Sequence, residues 1–328
     1  EAEMRAVRGG RIGMIFQEPS TSLNPVMRVG DQIVEAIEAH TPLRGAEARA
    51  KALQWLERVG IPEPARRIDD YPFRMSGGQK QRVMIAIALA AEPDFLVADE
   101  PTTALDVTIQ AQVLALLQDL QRERRMGLLL ITHDLAVVSG MAQRVALMYA
   151  GQIVEVAPAD EFFARPRHPY AQALLRALPR RALHGEALRA IGGTVPALTQ
   201  AFTGCRFAPR CEFVHDACLA TPPALRPAGP RREVRCVLEE AAVPVGGSSA
   251  VAVVAAGAAA APVAAVSGSA PAVSATVSAA GAPLLQVEDL TVRFAVRGGA
   301  LQRARGHFVA VREVSFTIGR GETLALVG

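Results

Sequence analysis

Two short runs, Phe95-Leu-Val-Ala98 and Leu128-Leu-Leu-Ile131, are apolar at every position, and each ends against polar residues, Asp99-Glu100 and Thr132-His133. Side chains alternate across a strand, so a strand without a polar face belongs to a sheet covered on both sides. Between the runs, about Thr108 to Arg124 has helical spacing, and Gly127 precedes the return. This reads as a strand, helix, strand unit of a doubly wound, mostly parallel α/β sheet. Asp99, Glu100 and His133 then share its carboxyl edge.

The surrounding chain fits that frame. Arg11 to Gln17 reads as a short strand, and Pro19, Asn24 and Pro25 mark the loop after it. Asp31 to Ala39 and Ala46 to Val59 have apolar residues at helical spacing, which suggests a small helical insertion. Ser76 can cap a helix from Gly77 to Ala91 that Pro93 ends, and Val145 to Tyr149 pairs with Gln152 to Val156 as a hairpin across Ala150-Gly151.

A carboxylate at the end of a buried strand needs a partner, and in nucleotide enzymes Asp99 would find it in water on magnesium. Glu100, one residue on, could polarise an attacking water. Ser76-Gly77-Gly78-Gln79 combines a hydroxyl, two glycines and the positive end of a helix, which suits a phosphate. Read singly, these are structural carboxylates, a capped helix and a core histidine. Their order changes the reading. Met75 to Gln79, Phe95 to Glu100, Asp106 and Thr132-His133 resemble the signature loop, Walker B strand, D-loop and switch histidine of the ATP-binding cassette (ABC) family. Gln17 is similar to its Q-loop glutamine, and Gln17-Glu-Pro-Ser-Thr-Ser-Leu-Asn-Pro25 resembles the importers of dipeptides, oligopeptides, nickel and glutathione.

The resemblance covers residues 1 to about 240 and 283 to 328. It implies a P-loop ATPase fold with a helical subdomain, with Glu100 and His133 catalytic and Gln17, Asp99 and Asp106 on ATP and magnesium. Ser76, Gly77, Gly78 and Gln79 would contact nucleotide held by an opposite cassette. Phe294 or Phe308 is either the aromatic that stacks on adenine or a core residue. No Gly-x-x-x-x-Gly-Lys-[Ser/Thr] phosphate loop occurs. Glu1 opens without a start methionine, and Gly321 to Gly328 reads as a strand reaching the first glycine of such a loop. The expectation is a piece of a tandem protein, running from after one phosphate loop to the start of the next and inactive alone. Gln17, Asp99, Glu100 and His133 would serve the loop before Glu1, and Ser76 to Gln79 the one after Gly328.

Four segments follow. Residues 1–157 form the first nucleotide-binding domain, and 158–240 a module holding all four cysteines, spaced C-x5-C-x6-C-x17-C at Cys205, Cys211, Cys218 and Cys236. Clustered thiols in a cytoplasmic protein favour metal over disulfides, and spacing alone does not choose between an iron-sulfur cluster and zinc. With His168-Pro-Tyr170 ahead of it, the module resembles the C-terminal region of the peptide importers, where iron-sulfur is associated with these cysteines; a metal-free loop stays open. Residues 241–282 are an Ala/Gly/Ser/Pro linker expected to be disordered. Its Ala250 to Val266 run, broken by Gly257 and Pro262, is too short and interrupted for a membrane span. Residues 283–328 would open a second cassette.

The resemblance implies an ATPase peripheral to the cytoplasmic face of the inner membrane, working with two integral-membrane permease subunits and, through them, an extracytoplasmic solute-binding protein. Its two nucleotide-binding domains would pair. A formal charge of +3 is too small to imply nucleic acid by electrostatics alone. A cassette ATPase of DNA repair or translation is the rival reading, and no dense Lys/Arg run supports it. A third reading makes the cysteine module a redox or metal sensor on a cassette scaffold.

Overall fold

The computed structural model describes residues 1–103, 105–178, 190–199, 201–238, 282–298 and 303–328; nearly all of the expected linker lies outside them. Ten strands are present among the described residues: β1 (Ile12–Ile15), β2 (Phe95–Asp99), β3 (Gly127–Ile131), β4 (Arg144–Tyr149), β5 (Gln152–Pro158), β6 (Arg226–Gly229), β7 (Arg232–Val234), β8 (Leu285–Gly298), β9 (Arg303–Ile318) and β10 (Thr323–Val327). Eight form one sheet in the order β1-β2-β3-β10-β4-β5-β7-β6, and β8 pairs with β9 separately. Pairing is parallel from β1 through β4 and antiparallel from β4 onward.

The helices are α1 (Ala2–Val7), α2 (Pro19–Ser22), α3 (Val29–His40), α4 (Gly45–Arg58), α5 (Pro64–Arg67), α6 (Gly77–Leu89), α7 (Val107–Arg124), α8 (Leu135–Met141), α9 (Ala159–Ala164), α10 (Pro169–Arg176) and α11 (Asp216–Ala220). In the insertion, α3 and α4 bury Ile33, Ile37, Trp55 and Leu56 in one core with Val83, Ile85 and Leu89 of α6 and Leu117 of α7. A second core gathers Tyr149, Phe162, Phe163, Leu175 and Phe207 with Ala325 and Val327. The turn between β4 and β5 has positive φ at both Ala150 (46°) and Gly151 (77°), as a two-residue hairpin of right-handed twist needs. A side chain at Gly151 would also strike the Ala310 carbonyl of β9.

The expected elements are present with ends moved by a few residues. Residues 283–328 were expected to open a second cassette. Within this chain β10 lies in the middle of the one sheet, Leu324 opposite Leu129 on one side and Arg144 on the other. Without it, β3 and β4 would border a gap lined with unpaired backbone groups on buried strands, which is costly. Thr323-Leu-Ala-Leu-Val327 is as apolar as its neighbours, and burying Leu324 and Val327 contributes roughly 1.5–3 kcal/mol each. Side chains fix the register: Gln121 Nε2 donates to the Gly321 carbonyl at 2.7 Å, and the Thr323 N–H donates to Gln143 Oε1 at 2.7 Å.

Candidate active site

Residues leaving the carboxyl ends of β1, β2 and β3 converge. Glu100 follows β2, with its N–H held by the Ile131 carbonyl of β3 at 2.9 Å and φ at 43°, in the left-handed region where a residue with a Cβ is strained. This turn carries its carboxylate to the sheet edge. There Gln17 Nε2 donates to Oε2 at 3.0 Å, the Thr103 hydroxyl donates to the same oxygen at 2.7 Å, and His133 Nδ1 lies 2.9 Å from Oε1. The His133 contact, then the Thr103 hydrogen bond, hold the Glu100 pKa below the ordinary carboxylate range.

Asp99 lies beside this group at the end of β2. Burial, then the neighbouring Glu100 charge, push its pKa up, and among the described residues its carboxylate has no hydrogen bond or ion pair. A half-buried carboxylate left without a protein cation fits a magnesium site, with hard oxygen ligands as that ion prefers. Thr132 is turned inward and its hydroxyl accepts from the Asp134 N–H at 3.0 Å, so His133 alone of this pair faces the site.

The other expected site residues lie outside this cluster. Ser76 caps α6 in a closed capping box: its hydroxyl accepts from the Gln79 N–H at 3.3 Å, and Gln79 Oε1 accepts from the Ser76 N–H at 3.1 Å. Gly77 has open space around it, whereas a Cβ on Gly78 would meet Ile109 at 2.7 Å, so Gly78 answers to packing against α7. Asp106 caps α7 through the Ile109 N–H at 3.0 Å. Phe294 and Phe308 stack on each other across β8 and β9, centroids 5.4 Å apart. Gly328 follows β10 beside Met148, on the edge that carries His133.

All four cysteines line one small cavity with His168, Phe207 and Pro223. They are free thiols. Burial raises the pKa of Cys205 and Cys236 and pushes Cys211 up to about 11. Four soft donors facing one space fit a thiolate metal centre in number and kind. As they stand, no group of three or more His, Cys, Asp or Glu among the described residues has ligating geometry.

Beneath that cavity lies a sealed polar network. Glu155 of β5 is fully buried and accepts from the His168 N–H at 2.7 Å, the Arg167 N–H at 3.1 Å and Arg232 Nη2 at 2.5 Å. Sequence reasoning missed this network, and it missed Thr103 too. Glu155 sits in an otherwise apolar run and its partner is 77 residues away. Thr103 had a signal: three residues past Glu100 in a turn, it is within reach of that carboxylate.

Comparisons with known proteins give the relatives of this chain. A family model described as ABC transporter matches residues 2–103, and one described as oligopeptide/dipeptide transporter, C-terminal region, matches residues 154–218. A Brucella abortus protein named for peptide import ATP binding is 51% identical over 243 residues, covering 72% of each chain. The dipeptide transport ATP-binding protein DppD of Escherichia coli is 50% identical over 236 residues, again covering 72% of each. A solved dimeric cassette, MJ0796, aligns with 29% identity and a TM-score of 0.44 over 48% of this chain and 67% of that one. With half its residues identical across nearly three quarters of such relatives, and with Glu100, Gln17 and His133 gathered at one sheet edge, the chain belongs to the ATP-binding proteins of ABC transporters.

Proposed function

We propose that the chain supplies ATP binding and hydrolysis to an importer of peptides or a related small solute. The observation that carries this is the convergence of Gln17, Glu100 and His133 in a protein that also has the oligopeptide/dipeptide transporter C-terminal region. Glu100 is the base. With its carboxylate in the charged form, it takes a proton from water as that oxygen bonds to the γ-phosphorus and the bond to the ADP oxygen breaks. His133, on the other side of the carboxylate, orients it and faces the γ-phosphate. Magnesium, bound with ATP, supplies positive charge to the phosphate oxygens, and Asp99 and Gln17 would hold it.

Ser76 to Gln79, outside this cluster, would meet nucleotide from a facing cassette, so two cassettes pair across the ATP. Among the described residues no helix is long and apolar enough to cross a membrane. The working place is the cytoplasmic face of the cell membrane, against two permease subunits that receive solute from an extracytoplasmic binding protein. Cys205, Cys211, Cys218 and Cys236 would hold an iron-sulfur cluster, or zinc, tying the module's loops together. Iron, sulfide and zinc analysis of anaerobically purified protein tests that, and finding none leaves a plain docking loop.

The hydrolysis reading is tested by E100Q in the assembled transporter. The amide keeps size and loses the base, so turnover at that site should fall by about two to four orders of magnitude with ATP binding retained. Unchanged turnover, with the second site silenced, would reject it. The 328-residue chain, which has no phosphate-loop lysine, should bind Mg-ATP weakly in calorimetry.

A further inference from the structure

We propose that Thr103 is a positioning residue for Glu100, its hydroxyl fixing the carboxylate rotamer through nucleotide entry and release. This rests on the reading of Glu100 as the base. Glu100 Oε2 has two donors in the structure, Thr103 at 2.7 Å and Gln17 at 3.0 Å, while Oε1 has His133 at 2.9 Å. The three differ in how they are tied to the carboxylate. Gln17 follows β1 and belongs to the loop before α2, and His133 follows β3 with its side chain two-thirds exposed, so both reach Glu100 from other elements. Thr103 is in the same turn as Glu100: its N–H donates to the Glu100 carbonyl at 3.1 Å, closing a four-residue loop that includes Pro101.

A hydroxyl three residues along in a closed turn moves with the carboxylate, so its hydrogen bond persists when the other two partners turn to nucleotide. The left-handed φ of Glu100 makes this useful. A strained residue needs its surroundings to hold it, and a second hydrogen bond within the turn does so. The arrangement also assigns the two oxygens. Oε2 is occupied by Thr103, which leaves Oε1, facing His133, as the atom that meets water. A base held to one rotamer enters the reaction already oriented, where a 1 Å displacement costs on the order of a hundredfold in rate.

The test is made in the assembled transporter. T103V should lower kcat by about tenfold or more, with KM within about twofold, and T103S, which puts the hydroxyl back, should recover most of the loss. A kcat in T103V equal to wild type where E100Q is inactive, or a T103S variant as slow as T103V, overturns the role of Thr103 alone. If E100Q itself turns over normally, the base assignment fails instead.

Discussion

Two glutamate and histidine pairs among the described residues differ in their access to solvent. Glu100 and His133 stand at the open carboxyl edge of the sheet, their side chains 22% and 67% exposed, and they touch through their side chains. Glu155 and His168 are sealed between β5 and the cysteine module at 0% and 1% exposure, joined through a backbone N–H. Hydrogen bonds lower the pKa of Glu100, whereas burial pushes Glu155 up against the pull of the His168 N–H and Arg232. An acid at an open edge, held by partners that can leave, is available for chemistry. The same acid, walled in with a guanidinium, is a structural joint between the cassette and its C-terminal region.

The sharpest way to break this contrast is to remove the cation. Arg232 is 3% exposed and also donates to the Arg165 carbonyl, so R232A leaves the Glu155 charge buried without its counterion. Breaking such a pair costs about 3–5 kcal/mol. Chemical denaturation should show that loss for R232A, while E100Q stays within about 0.5 kcal/mol of wild type as an edge substitution. Equal losses in the two variants would erase the distinction.

That contrast also marks what could be read from sequence. Phe95 to Ala98 and Leu128 to Ile131 announce themselves because buried parallel strands need no polar alternation, and Gln17, Glu100 and His133 were legible because each ends such a strand. Glu155 was not. A single acid inside Gln-Ile-Val-Glu-Val-Ala gives no local hint of a partner on β7, and only the return of the chain to β5 makes the pair. The place of β10 was hidden for a related reason. Its composition says buried parallel strand, but which gap it fills depends on which strands lack a neighbour, and that is a property of the whole sheet. At Ser76 both readings were available, and the capping box realises the local one.

Protonation of His168 tests the sealed pair more gently. Burial lowers its pKa to about 4, outweighing the hydrogen bond to the Arg235 backbone. The fold holds the ring neutral, with Nδ1 accepting from the Tyr170 N–H at 3.1 Å, while the unfolded chain takes a proton near 6.5. The stabilisation is therefore complete above about pH 6.5 and is lost as pH falls toward 4, a total of about 3 kcal/mol. Glu155, with its pKa raised, pulls the other way, so the difference between wild type and H168N isolates the histidine. Melting curves from pH 7 to 4 should converge for the two proteins as pH drops, and parallel curves would show that the ring titrates freely.

A third carboxylate belongs to neither class and should have the smallest effect. Glu92 sits on the surface between Arg124 and Lys51, with a side chain 41% exposed, and the Arg124 hydrogen bond, then that of Lys51, lowers its pKa to about 2. A depressed acid stabilises the fold above its ordinary value near 4.5, and that contribution fades as pH falls toward 2. Solvent and salt screen so exposed a pair, so the contribution is below about 1 kcal/mol in spite of the large displacement. E92Q should lose that much at neutral pH and nothing at pH 2, and the difference should shrink in about 1 M salt. Arg232 with Glu155, screened by protein rather than by ions, should keep its effect in the same salt. A Glu92 contribution as salt-resistant as that of Glu155 would mean that burial does not set the strength of these pairs.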